Sequence, residues 1–233
     1  MTTHVSSSGH PLAWATALAL VLLLGWDASG LDLALAGLLA DGGGFALRDH
    51  WLLTAVFHEG GRIAAWALLL ALSVGVWWPF GWLHRATQAA RIRIVVAALL
   101  SVTAVALLKQ FSTTSCPWDL APFGGVARYH PHWAALGLAD GGSGHCFPAG
   151  HASSGFAFIG GFFAFRRTAP GMARRWLAGA LLAGLVLGVA QQLRGAHFMS
   201  HTLWSGWLCW CVAWVCDRIG SGSDASGLAT QEA

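Results

Sequence analysis

The chain has 233 residues, of which 56% are hydrophobic and only 10% charged, against about 25% charged in an average soluble domain. That deficit excludes an ordinary soluble domain, and a net charge of +3 with the Arg residues clustered in two short segments excludes a nucleic-acid footprint. Several windows nearly free of Asp, Glu, Lys and Arg are long enough, at about 18 to 20 residues, to cross a hydrocarbon core as helix.

The first apolar run covers residues 11–25. The residues before it lack the basic stretch and small-residue cleavage site of a signal peptide, so the run is expected to stay as an anchor. Residues 27–57 hold an apolar run, 31–40, too short to span, together with Asp41, Gly42, Gly43, Gly44, Arg48 and Asp49; they read as a loop or an interfacial helix. The second span is residues 61–78, stopped by Pro79. A basic segment with His84, Arg85, Arg91 and Arg93 leads to the third span, 94–108, which ends at Lys109. A polar loop, 110–147, precedes the fourth span, 149–165; Arg166, Arg167, Arg174 and Arg175 form a second basic segment; the fifth and sixth spans are 176–190 and 197–215. The expected fold is all-α, a polytopic bundle of six transmembrane helices. It forms one integral-membrane domain over residues 1–216, followed by a polar tail, 217–233, with the composition of a disordered segment.

An excess of Lys and Arg in short loops marks the cytoplasmic side of a membrane. The two basic segments lie between spans two and three and between spans four and five, so one orientation satisfies both. It puts the termini inside and gathers Lys109, the long loop, residues 148–151 and residues 194–201 at the outer face. Several of the fourteen Trp flank the apolar runs, namely Trp26, Trp51, Trp77, Trp78, Trp82 and Trp176, where interface aromatics are expected. The Trp-rich sixth span reads as lipid-facing.

Three segments carry chemistry. Pro148-Ala149-Gly150-His151 opens the fourth span: Pro fits a first helical turn, Gly lets a ligand approach the backbone, and the unpaired N–H groups of residues 149 to 151 would cradle an anion. An interfacial His with its needs met is one reading of His151, but at the rim, just after Pro-Ala-Gly, it is placed to donate to that anion, and the functional reading is favoured. Lys109 alone reads as a snorkelling lysine, but the hydroxyl-rich run and Pro117 after it are more polar than an anchor requires. His197 and His201 stand four apart and share a helix face, a spacing that also suits zinc or haem. A haem or metal protein would need His within spans, whereas His151, His197 and His201 lie at helix ends. Gly141, Gly142 and Gly144 lack the Lys-Ser/Thr ending of a phosphate loop. His58, Glu59 and Arg62 read first as a solvated helix start, with a role beside the site as the alternative.

Together the three segments resemble the type-2 phosphatidic acid phosphatase superfamily, which includes the vanadium haloperoxidases and carries Lys-x6-Arg-Pro, Pro-Ser-Gly-His and Ser-Arg-x5-His-x3-Asp in this order. Here they stand as Lys109, six residues, Cys116-Pro117; Pro148-Ala149-Gly150-His151; and His197, three residues, His201. The resemblance covers about residues 60 to 215. Cys116 stands for the first-motif Arg, Ala149 for the Ser, His201 for the Asp and Gln191 for the third-motif Arg; Arg194, nearly one turn after Gln191, can carry a guanidinium to the same place. In a competing register His201 is the nucleophile with Ser205 four residues on, but Thr-Leu-Trp-Ser-Gly after His201 resembles the stretch C-terminal to the family Asp, which favours His197.

The resemblance implies a phosphatase acting on a lipid phosphate or diphosphate monoester, at the periplasmic face of a bacterial inner membrane. His197 would attack phosphorus to form a phosphohistidine, His151 would protonate the leaving alkoxide and then activate water, and His201 would orient His197. Lys109, Arg194 and the backbone at Ala149 and Gly150 would hold the phosphate oxygens, with Asp119 or Glu59 as candidate sources of the missing negative charge. No metal or other cofactor is needed; the partners are the phosphorylated lipid and the bilayer, with no nucleic acid and the oligomeric state left open. A phosphotransferase, or a phosphate-binding protein without turnover, are the alternatives. A disulfide is expected between Cys116 and Cys146, because only these two of five Cys fall in the outer loop, the periplasm is oxidising, and both flank motifs that would converge on one phosphate. The bridge would replace a phosphate ligand by a covalent clamp and would hold the two Cα atoms about 4.4 to 6.8 Å apart.

Overall fold

The computed structural model describes residues 10–131, 133 and 138–229, and over them the chain is all-α, with a single isolated bridge, Leu120 to Ala127, and no strand. Helix α1 (His10–Ala28) turns at Gly30, which takes a left-handed φ of 72°, into the short α2 (Leu31–Leu39). A π-helical stretch, Leu52–Gly60, runs without a break into α3 (Gly61–Trp77). The loop expected through residue 57 therefore ends earlier: Leu52 to Phe57 are apolar enough to extend the helix by a further turn and a half. Helix α4 (Gln88–Phe111) begins where the Thr87 hydroxyl accepts from the Ala90 N–H at 3.2 Å, the usual way a Thr satisfies a first-turn donor. Helix α7 (Pro170–Leu193) has Pro in its first turn, where no N–H is missed.

Four helical segments are long and apolar enough to cross a membrane: Pro11–Ala28, Leu52–Trp77, Gln88–Phe111 and Pro170–Leu193. The expected fourth span is broken into α5 (Gly150–Phe156), one 3-10 turn (Ala157–Ile159) and α6 (Gly160–Phe165). The expected sixth span is α8 (Met199–Ala229), whose first turns carry His, Ser, Thr and Trp and so dilute its apolar character. It continues to Ala229, into the polar segment expected to be disordered.

The broken helix is the centre of the bundle. It packs on α4 through Gly160 and Ala97, and on α7 where Gly155 and Gly184 face each other so closely that a Cβ on either would overlap the other helix. Such small-residue crossings let helix backbones touch. Leu72, Leu83, Ile94, Phe156, Ile159, Phe163, Phe165 and Cys209 fill the core around it.

Two expectations for Trp are corrected. Trp82 and Trp176 are not belt residues; they pack edge to face on each other, 4.5 Å between ring centroids, and Trp176 donates to the Phe158 carbonyl at 2.5 Å. Three of the four Trp of α8 face α1 rather than lipid: Trp210 donates to Thr16 Oγ1 (2.8 Å), Trp207 to the Thr16 carbonyl (3.3 Å) and Trp204 to Asp27 (2.8 Å). An indole N–H inside an apolar medium needs an acceptor, and α1 supplies three. Trp51, Trp77 and Trp78 are exposed, as expected.

Candidate functional site

The last turn of α4, the first turn of α5 and the first turn of α8 meet at one end of the bundle. Lys109 reaches across so that its Nζ lies 3.8 Å from where a Cβ on Gly150 would be. The Ala149 N–H donates to the His201 carbonyl at 3.2 Å, and Ser205 Oγ lies 2.9 Å from both the Ala149 and His201 carbonyl oxygens. The second and third motifs are thus stitched together by backbone. This corrects one expectation: the Ala149 N–H is committed to His201, so a cradle of helix N–H groups starts at Gly150.

His197 and His201 sit side by side. Gly195, at φ 72° and pressed against Phe45 with no room for a side chain, turns the chain out of α7; its carbonyl accepts from the Trp118 N–H at 2.9 Å, and the Ala196 N–H donates to the Gln191 carbonyl at 2.9 Å. His197 is buried, with Nδ1 3.4 Å from His201 Nδ1 and 3.5 Å from Cys146 Sγ. One of the two facing Nδ1 atoms must carry the proton. When it is that of His197, its Nε2 holds a free lone pair, which is the form a nucleophile needs. His201 is fully buried between Phe147 and Phe198.

His151 opens the other side. Its Nε2 is buried without a hydrogen-bond partner, and its ring stacks on His58 with centroids 3.6 Å apart and 26° between planes. His58 Nδ1 lies 3.0 Å from Glu59 Oε1, and Glu59 Oε2 accepts from Arg62 at 2.5 Å. Glu59 is therefore joined to the site through His58. Asp119 is not: its carboxylate accepts from the Ser143 hydroxyl at 2.9 Å. Neither carboxylate is bonded to His197.

Arg194 is steered by Gln191, three residues before it. Its Nη1 donates to Gln191 Oε1 at 3.0 Å, its Nε to the Arg48 carbonyl at 2.8 Å, and its guanidinium lies over Trp118 at 5.9 Å. Gln191 is buried and its Nε2 has no partner, leaving an amide donor beside the guanidinium. Burial lowers the Arg194 pKa, with Asp49 opposing and Arg48 adding to the effect.

Cys116 and Cys146 form a disulfide with Cα atoms 5.2 Å apart, inside the expected range. Cys146, His197 and His201 come close enough to share an ion, but the disulfide leaves Cys146 no thiolate, so the donor set is two imidazoles. Beneath the bridge, Asp140 accepts from the Ser115 N–H (2.7 Å), the Ser115 hydroxyl (2.7 Å) and the Gly142 N–H (3.0 Å). Burial pushes the Asp140 carboxyl up, and these donors together outweigh it, so it is held below the usual carboxylate range.

Two contributors, Asp32 and Gln191, were not singled out from the sequence as parts of this assembly. Asp32 of α2 accepts from the Ser200 N–H at 3.0 Å and bonds the Ser200 hydroxyl, while Trp26 donates to it at 2.8 Å. It caps α8 from another helix, one residue before His201, where a negative charge suits the helix end. A lone Asp within the apolar run Leu31-Asp32-Leu33 was the available signal. Gln191 was noted only as a departure, whereas His58 had a role beside the site as its alternative reading, and its ring contact with His151 bears out that alternative's placement.

A family model described as the PAP2 superfamily matches residues 90–222, more than half of the chain, from α4 into α8 and including Lys109, His151, His197 and His201. No curated protein and no solved structure matches the chain.

Proposed function

The chain belongs to the PAP2 superfamily, and from that membership we propose that it is a membrane phosphatase that hydrolyses a lipid phosphate or diphosphate monoester through a phosphohistidine. The observation that carries this reading is the convergence of Lys109, the α5 N-terminus and His197 on one end of the bundle, with His151 Nε2 unpartnered among them. His197 Nε2 attacks phosphorus in line with the leaving oxygen, His151 gives that oxygen a proton, and His151 then takes one from the water that cleaves the phosphohistidine. Lys109, Arg194 and the N–H groups from Gly150 onward balance the charge on the equatorial oxygens. This chemistry asks for no metal.

A lipid substrate is favoured by an apolar groove of about 440 Å³ between α3, α5 and α7, lined by Phe57, Leu68, Phe158 and Leu187. Phe57 adjoins His58, and Ser154 in the same wall lies one turn below His151, so a chain in the groove has its head at the histidines. In this reading the bundle has six spans, α5 to α6 and α8 completing the four apolar ones, with both termini cytoplasmic and the site at the periplasmic face of a bacterial inner membrane. The positive-inside rule for the two Arg-rich segments supports that orientation.

The test is inorganic phosphate release from a panel of lipid phosphates and diphosphates by the purified protein in detergent. We expect turnover by the wild type, near-complete loss in His197→Ala, and a loss of about 10²- to 10⁴-fold in His151→Ala. His201→Asp, which restores a carboxylate beside His197 Nδ1, retains or raises activity. Full activity in His197→Ala with loss in His201→Ala would transfer the nucleophile to His201. A second reading, phosphate binding without turnover, is favoured by the imidazole rather than carboxylate bonded to His197; it predicts saturable phosphate binding and no release in the same panel.

A further inference from the structure

Resting on the phosphatase reading, we propose that His58 is a positioning residue for the acid–base histidine. The stacked pair shares one proton, which sits on His58 in the empty site and on His151 once a phosphate is bound. The exchange runs through water: His58 releases one proton and His151 takes one up, so charge and protons balance.

Geometry carries this. Rings with centroids 3.6 Å apart and 26° between planes would put two positive charges face to face if both were protonated, and like charges at such range do not both persist. Of the two, His58 has the carboxylate: Nδ1 lies 3.0 Å from Glu59 Oε1, and Arg62 fixes Glu59 from the other side at 2.5 Å. His151 has no such partner, and its Nε2 is buried and unbonded. The charged groups acting on the pair are Glu59 and Arg62 from the helix of His58, Lys109 from α4 and Arg194 from the end of α7. In the empty site the two cations facing His151 and the carboxylate on His58 favour the same distribution. A phosphate held by Lys109 and Arg194 cancels those cations and adds negative charge at His151, which reverses it.

The backbone adds a second observation. His58 and Glu59 close a π-helical stretch of nine residues, Leu52–Gly60, in which each turn takes an extra residue and side chains are aimed differently from those of an α-helix. Such turns are rare and collect at functional sites. Here the turn delivers an imidazole to His151 from a segment outside the family match, which begins at residue 90.

The experiment is the pH profile of kcat/KM for the full-length protein in detergent, acting on a lipid phosphate. The substrate ionises identically in every variant, so differences between profiles belong to the protein. Turnover needs the shared proton, held on His58 in the free enzyme and on His151 in the complex, and its loss sets the alkaline limb of kcat/KM. His58→Gln and His58→Phe, the second keeping the ring stack without a titrating group, take away the site that holds the proton in the empty enzyme and move that limb downward by about one pH unit. His58→Arg, with a charge that never leaves, moves it further downward than either. A lower plateau with an unmoved limb in all three is the result a merely structural contact gives, and it overturns the proposal while leaving the phosphatase reading intact. Full activity in His151→Ala overturns that reading itself, and this proposal with it.

Discussion

Arg166 and Lys109 sit at opposite ends of the same bundle and are handled in opposite ways. Arg166, after α6, meets Asp217 of α8 at 2.7 Å, with Arg167 at 4.0 Å from the same carboxylate. Lys109 faces Gly150 and no described carboxylate pairs with it. Around it stand Arg194, a buried His151 nitrogen without a partner and a Gln191 amide in the same state. Leaving polar groups unsatisfied in a low-dielectric place costs free energy. At the Arg166 end the opposite charges pair, even though the buried Arg166 Nε has no hydrogen-bond partner, and that pairing is structure. At the Lys109 end they are left open, which is what the proposed phosphate site requires.

That contrast makes the Lys109 end the one that needs bracing, and the disulfide is the largest brace. Cys116 and Cys146 are separated by 30 residues, and opening a loop of that size removes about 3 to 4 kcal/mol in the chain-entropy account. The Cys116→Ser/Cys146→Ser double variant is therefore expected to melt well below the wild type in detergent and to lose activity even where folded, because Cys146 touches His197. Unchanged turnover per folded molecule would mean that the bridge braces the loop but not the histidine.

The Arg166 end should respond in stability alone. Asp217→Asn leaves a mostly buried guanidinium without its counter-charge, a change that costs about 3 kcal/mol when the pair is buried. The folded fraction should keep the kcat of the wild type. A matching fall in kcat would contradict the division of labour between the two ends.

The sequence made one side of this contrast far more legible than the other. Apolar runs announce α1, α3, α4 and α7, because lipid contact rewards length and composition residue by residue. Lys109, His151, His197 and His201 could be named because each sits at a motif position near a helix end. The features that stayed hidden depend on contacts across the chain. Asp32 reaches Ser200 over 168 positions, and His58 meets His151 only because a π-helical stretch joins α3 in place of a loop. Trp204, Trp207 and Trp210 of α8 were misassigned for the same reason: an indole looks lipid-facing until the acceptor on α1 is known. Local pattern reports how a residue meets solvent, whereas site geometry is set by which distant residue fills its hydrogen bond.

The smallest expected effect tests whether the outer loop is itself tuned by charge. Asp140 is held below the usual carboxylate range by three donors in spite of burial, while its unfolded value is about 3.9. A depressed folded pKa contributes stability that is fully present above the unfolded value and is lost as pH falls through the folded one. Asp140→Asn lacks that contribution at every pH and also turns an amide N–H toward the Ser115 or Gly142 donors, so it should be less stable at pH 7 by about 1 to 2 kcal/mol. Melting midpoints compared from pH 7 to pH 3 should differ by a constant amount down to about pH 5, and the gap should narrow below about pH 4 as the wild-type carboxylate takes up its proton. A gap that stays constant to pH 3 would show that shape, not charge, makes Asp140 the hub of the loop.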